Sequence, residues 1–219
     1  MRQGRALKTK NMSNSFEEPL AQRERLKYEK IWTFKEYRES SPGLRLVDRF
    51  LKNVRVLPEN IVIDFGVGSG KAAKEIKQRT SCFMIGVDIA QNCLDPDVKL
   101  DWFICTNLWK KIAVLTALDA CPDWNIKLRK KESCIGYCTD VMEHIPEEKI
   151  KDVFKTIACA AEKTFFNVAL FDDSMGQQLI GESLHLTVKP KEWWGAQLTD
   201  VFSKVVSLDE KEGLFLCAL

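Results

Sequence analysis

The chain has 219 residues, 45% of them hydrophobic and 29% charged, with a formal net charge of +2. That is enough apolar material for one substantial core, and it excludes a chain that is disordered throughout, because such chains are poor in apolar residues. No apolar run approaches the ~20 residues that span a bilayer, and the opening residues MRQGRALKTKNMSNS lack the apolar middle of a signal peptide. A cytoplasmic protein without a membrane span is therefore expected.

Residues 1 to 18 are polar and basic without a periodic apolar pattern, and predict a disordered arm. Residues 1 to 59 carry 14 Lys/Arg against 8 Asp/Glu, a net +6, whereas residues 60 to 219 carry 19 against 23, a net −4. A basic arm on a mildly acidic body suits contact with nucleic acid or another polyanion, and it equally suits a solvated tail. Residues 19 to 59 read as a helical segment. Leu20, Leu26, Ile31 and Phe34 share a face of a helix predicted over residues 19 to 38, which Ser40, Ser41, Pro42 and Gly43 break. The helical pattern resumes over residues 44 to 51. Tyr28, Trp32 and Tyr37 form an aromatic cluster with two readings, a lid over a bound ligand or the apolar face that docks the helix.

The stretch IVIDFGVGSGKAAKEI, residues 61 to 76, reads as strand, glycine turn and helix. Ile61, Val62, Ile63 and Phe65 flank Asp64. Gly66, Gly68 and Gly70 then follow at alternate positions, and good helix formers begin at Lys71. Glycine accepts positive φ and lets a ligand approach the backbone, while the free N–H groups at a helix start favour an anionic or carboxylate-bearing group. The dinucleotide fingerprint G-x-G-x-x-G requires Gly or Ala where Lys71 stands, so a dinucleotide is the less favoured ligand. The next apolar run, residues 82 to 87, ends in Asp88, which fits a carboxylate that grips a ribose diol.

A third strand is predicted over residues 99 to 105, a mixed-face helix over 108 to 118, and a polar surface loop over 121 to 133. CIGYC, residues 134 to 138, is the fourth strand. It leads into Thr139, Asp140, Val141, Met142, Glu143, His144, Ile145 and Pro146. Residues 147 to 162 predict a helix, started by Pro146 and two acids, and residues 165 to 171 the fifth strand. A loop from Asp172 then leads to a short helix over 192 to 198, and two last strands, 202 to 208 and 214 to 219, form a hairpin.

Asp64, the G-x-G-x-G turn and Asp88 together resemble the S-adenosylmethionine (SAM) site of class I methyltransferases. The resemblance covers residues 60 to 219, expected to be the SAM-binding domain, and implies a doubly wound α/β fold. Its mostly parallel seven-stranded sheet would close with an antiparallel terminal hairpin. It also implies roles. Gly66, Gly68 and Gly70 would hold the methionine end of SAM, Asp64 its amino group, directly or through water, and Asp88 and the adjacent Ile89 the ribose. Asn107, just past the third strand, would contact the adenine. D-V-M-E-H-I-P resembles the segment that lies beside the transferring methyl in methyltransferases of small molecules, which places Asp140 next to both cofactor and acceptor. The set Y-x-x-x-W, S-P-G, T-D-V-M-E-H-I-P and L-H-L-T-x-x-P-x-x-W-W is similar to a group of methyltransferases from phage and bacterial genomes.

Transfer from a sulfonium needs alignment and exclusion of water, with no metal, and a base where the acceptor is a hydroxyl or protonated amine. His144, Asp140 and His185 are the candidate catalytic residues, with Glu143 beside them. Trp193 and Trp194 read either as a stacking platform for a planar acceptor or as core anchors. The chain lacks the Pro-Cys nucleophile of cytosine C5 enzymes and the Pro-Pro-aromatic signature of exocyclic amino DNA methyltransferases. A small-molecule O or N acceptor is therefore expected, with nucleic acid or a nucleotide as the alternative and a non-catalytic SAM-binding protein as the third reading. The eight cysteines contain no C-x-x-C pair and read as buried apolar residues. The 41-residue gap between His144 and His185 argues against a structural zinc site.

Overall fold

The computed structural model describes residues 9–11, 18–121 and 133–219. Short runs rich in β-branched and aromatic residues form the strands, and every residue of β2 (Ile61–Phe65) is buried, as a strand covered by helices on both faces requires. It pairs in parallel with β3 (Phe83–Asp88) on one side and β5 (Cys134–Thr139) on the other. Parallel pairing continues outward to β4 (Trp102–Cys105) beyond β3 and to β6 (Lys163–Val168) beyond β5. The hairpin of β7 (Lys204–Ser207) and β8 (Gly213–Ala218) closes this side, with β8 antiparallel to both β6 and β7.

These seven strands, in the order β4-β3-β2-β5-β6-β8-β7, are the sheet expected from the sequence. An eighth, β1 (Thr9–Asn11), lies parallel to the outer edge of β4 and comes from the arm expected to be disordered. The exposed N–H and C=O groups of an edge strand accept such an addition whatever the side chains. The rest of the arm, and residues 122–132 of the predicted surface loop, lie outside the described residues.

Helices α1 (Pro19–Ile31), α2 (Lys35–Glu39), α3 (Pro42–Asn53), α4 (Lys71–Thr80), α5 (Lys111–Asp119), α6 (Ile150–Ala160), α7 (Met175–Ile180) and α8 (Lys191–Thr199) surround the sheet. Val47 and Phe50 of α3 are buried, and Phe50 meets the rings of Tyr137 and Phe165 edge-on at 5.0 and 5.6 Å. The Tyr137 hydroxyl donates to the Gly43 carbonyl at 2.5 Å, which pins the start of α3 to β5.

Two departures from the sequence reading shape the site. The single helix predicted over residues 19 to 38 is two helices, broken where Phe34 turns extended. The break lets Trp32, only 7% exposed, turn its indole toward the glycine turn. The loop predicted after Asp172 contains α7, because the Asp173 carboxylate accepts the Met175 and Gly176 N–H groups at 2.9 and 2.8 Å.

Candidate functional site

The sheet order reverses between β2 and β5, and open α/β sheets place ligands just beyond the carboxyl ends of the strands at such a point. Two adjoining cavities of about 100 and 80 Å3 lie there, both lined by Gly66, Gly68, Asp140, Trp32 and Tyr37. A wider groove of about 530 Å3 meets them at Asp140, with Pro42, Arg45, Asn167 and Lys211 among its walls. Asp140 thus borders all three spaces. Its φ of +59° is left-handed, a conformation that aspartate tolerates better than most residues.

The glycine turn has the geometry its sequence demands, with φ of +79° at Gly66 and +51° at Gly68. A Cβ on Gly66 would lie 2.3 Å from Val141 Cγ2, and one on Gly68 would lie 3.0 Å from the Trp32 ring. Gly70 is the residue before α4 and packs toward Leu94 and Val98, outside the two cavities.

Four N–H groups of the turn are used within the protein, and none of the four belongs to the first turn of α4, where the sequence places the free donors. Gly66 and Val67 donate to the Val87 carbonyl, Gly70 donates to Val67, and Gly68 donates to the Asp88 carboxylate at 2.9 Å. These four donors are already satisfied, and a carboxylate closes the approach.

Asp88 also accepts the Ala90 N–H at 2.9 Å, and burial raises it to about 6 despite these bonds. Asp64, 3% exposed, lines the second cavity. Burial, followed by the charge of Asp88, raises it to about 8, and no hydrogen-bond donor offsets this among the described residues. The wall of the cleft therefore holds a buried carboxyl lacking a partner, next to a second that is only partly compensated.

Ile89 lines the first cavity beside Asp88 as expected. Asn107 does not. Its Oδ1 accepts the Lys110 N–H at 2.9 Å, capping the turn before α5, and Thr106, Leu108 and Trp109 form the wall instead. Trp109 is held by its indole N–H on Glu18 at 2.9 Å, and Glu18 in turn pairs with Lys149 at 2.7 Å. The sequence reading missed this wall, and the one signal for it was a tryptophan one turn past the third strand.

The aromatic cluster packs on the core and also faces the first cavity. Tyr28, Trp32 and Tyr37 all line the first cavity, with Trp32 and Tyr37 edge-to-face at 4.6 Å. Arg38, the next residue, donates to the Cys93 carbonyl at 2.9 Å and pairs with Asp95 at 3.1 Å, which fixes this end of the cluster.

His144 lines the first cavity, and burial lowers it to about 4. Its Nδ1 is 3.0 Å from the Leu184 carbonyl, and a carbonyl only accepts, so this nitrogen carries the proton. His185 lines neither cavity but lies with its ring 4.8 Å from that of His144. The separation along the chain is closed by backbone bonds, since Leu186 and Thr187 N–H both donate to the Glu143 carbonyl at 2.8 and 2.9 Å. Trp194 is fully buried in the core with Trp193 packed edge-on against it, so neither is a platform in the cleft.

No protein-family model and no curated protein sequence matches the chain. Among solved structures, it is similar to a SAM-dependent methyltransferase from Anabaena variabilis, with a TM-score of 0.59 and 12% identity over 99% of this chain and 98% of that one. The chain has the class I methyltransferase fold. It also resembles an O-methyltransferase family protein from Burkholderia thailandensis, with a TM-score of 0.52 and 12% identity over 80% of this chain. Human N-acetylserotonin methyltransferase, solved in complex with SAM, has a TM-score of 0.52 and 15% identity over 79% of it. The chain spans 56% of the Burkholderia protein's length and 51% of the human one's. Open α/β sheets place ligands beyond the carboxyl ends of their strands, and the cleft beside the glycine turn lies there. Among the described residues, no helix is long and apolar enough to cross a membrane.

Proposed function

We propose that this chain is a SAM-dependent methyltransferase acting on a small acceptor. The observation that carries the reading is the buried Asp64 carboxyl, without a hydrogen-bond donor, beside a glycine turn in which the Gly66, Val67, Gly68 and Gly70 N–H groups are already used. Such a wall repels a pyrophosphate and favours a ligand that brings its own cationic donor, as the amino group of SAM does. Asp64 would hold that amino group, Asp88 the ribose hydroxyls, and Ile89, Thr106 and Leu108 the base. When bound, SAM supplies a methyl on a sulfonium, open to displacement by an oxygen or nitrogen lone pair.

The chain's own residues supply the rest. Trp32 and Tyr37 exclude water from above the turn. Asp140, shared by the cofactor cavities and the wider groove, orients an acceptor entering from that groove, with His144 opposite it as the catalytic partner. The groove carries charges of both signs, Arg45 and Lys211 against Asp140 and Glu212, and so suits a polar acceptor without selecting its charge.

Calorimetry with S-adenosylhomocysteine (SAH) and with NADH tests the reading. Saturable binding of SAH alone supports it, and binding of NADH alone overturns it. A nucleic-acid acceptor is the second reading, favoured by the +6 charge of residues 1 to 59. It requires that deleting residues 1 to 18 weakens RNA or DNA binding and flattens its salt dependence.

A further inference from the structure

Asp140, Glu143, His144 and His185 each direct a donor atom to one place, and those four atoms all lie within 4.8 Å of one another. Three features mark this as a built site. First, both imidazoles are oriented by backbone carbonyls. His144 Nδ1 lies 3.0 Å from the Leu184 oxygen and His185 Nδ1 lies 2.7 Å from the Phe171 oxygen. A carbonyl cannot donate, so each Nδ1 carries hydrogen and each Nε2 is left to present a lone pair, the arrangement metal-ligating histidines adopt. Second, Glu143 is fully buried. Its Oε1 accepts the Ala169 N–H at 2.8 Å, while its Oε2 meets no N–H or hydroxyl donor and lies within hydrogen-bonding reach of the Asp140 carboxyl. A buried carboxyl oxygen facing a second carboxyl, with no basic side chain paired to either among the described residues, needs a shared proton or a cation between them, and the two imidazoles beside it favour the cation. Third, the pieces are clamped together. The Glu143 carbonyl accepts the Leu186 and Thr187 N–H groups, and the Thr187 hydroxyl donates to the Ile145 carbonyl at 2.7 Å.

We propose that these four side chains bind a divalent first-row transition metal ion at the acceptor end of the cleft. Two imidazoles with two carboxylates suit Mn2+, Fe2+, Co2+ or Zn2+ better than the all-oxygen preference of Mg2+ or Ca2+. Asp140 also lines the wider groove, so an open coordination position on that side would face an acceptor entering from it. This points to an oxygen acceptor. A hydroxyl bound to the ion gives its proton to solvent at a lower pH, and the O–H electron pair stays on the oxygen as the nucleophile. That role rests on the methyl-transfer reading, whereas the ion site stands on its own geometry.

The test uses the full chain after chelator treatment, titrated with Co2+ and followed by calorimetry and visible absorption. One ion per chain is expected, with ligand-field bands of nitrogen and oxygen ligation rather than the intense charge-transfer band of thiolate ligation. His185→Gln and Glu143→Gln should each weaken Co2+ binding at least ~10–100-fold, the loss seen even for groups that merely orient a ligand. SAH affinity should stay unchanged, since neither side chain lines the cofactor cavities. Circular dichroism and SAH binding establish that each variant is folded. If Glu143→Gln does not fold, His185→Gln, at a partly exposed position, decides the outcome. Absence of saturable Co2+ binding, or binding equal in wild type and variant, overturns the site. SAH binding without Co2+ binding removes the ion site and leaves the methyltransferase reading. Co2+ binding without SAH binding does the reverse.

Discussion

Replacing Asp64 by Asn tests the electrostatic core of the site. The carboxyl is raised from an ordinary 3.8 to about 8, chiefly by burial, whereas in the unfolded chain it titrates near its ordinary value. A folded-state value above the unfolded one means that the group's contribution is fully present below about pH 4 and is lost as the pH rises toward 8. At ~1.4 kcal/mol per unit, the loss reaches about 4 kcal/mol by pH 7, an upper bound on what removing the carboxyl restores. Asn keeps the shape without the charge. The ligand-free Asp64→Asn protein should therefore match wild type near pH 4 and gain on it steadily above. At ~2–4 °C per kcal/mol for a chain of this size, the gain in Tm at pH 7 is at most roughly 8–16 °C. The same change should cost the variant ~10–100-fold in SAM affinity, the range of a lost hydrogen bond to a charged group. Scanning fluorimetry from pH 4 to 8, with calorimetry of SAM at pH 7, reads both effects. In wild type, SAM binding should release a proton that the variant does not, visible as a dependence of the binding enthalpy on the buffer. A Tm difference that does not change with pH, or a variant less stable at every pH, would refute the claim that Asp64 is a strained carboxyl awaiting a cation.

Three further changes probe the surroundings. Gly66→Ala combines a left-handed backbone, costing ~1–2 kcal/mol, with a methyl 2.3 Å from Val141 Cγ2, so both Tm and SAH affinity should fall. Trp32→Ala removes the indole that covers Gly68. It should weaken SAH by about 1 kcal/mol or more, mostly through faster dissociation in stopped-flow fluorescence, and an unchanged off-rate would rule out the cover. Tyr137→Phe strands the Gly43 carbonyl and should lower stability by about 1 kcal/mol, read as a ~2–4 °C drop in Tm, with no selective effect on SAH.

Much of the fold was legible because its signals are local. Ile61 to Phe65 is apolar throughout except at Asp64, the glycines that follow mark a turn, and helix formers begin at Lys71. Each signal depends on a few neighbouring residues, and the structure reproduces them within a residue or two for β2, β5 and β8. The helix predicted over 19 to 38 was misread because a tertiary contact outweighs local propensity. Burying Trp32 against Gly68 is worth more than continuing the helix through Thr33 and Phe34. Asn107 caps a turn and does not line the cavity, which its position after a strand could not reveal.

Residue types and short spacings were sufficient to establish a doubly wound α/β chain with carboxyls at the tips of its first two central strands. The periodicity of burial and the needs of a tight turn act over a handful of residues, so one dimension carries them. What folding alone settled is which groups meet across long gaps and at what energetic cost. Asp64 is perturbed because packing removes water and brings Asp88 close, and the Gly66 and Gly68 N–H groups are engaged because Val87 and Asp88 lie against them. His185 reaches His144 because two backbone bonds to Glu143 close a 41-residue gap, and backbone hydrogen bonds carry no mark in the side-chain sequence.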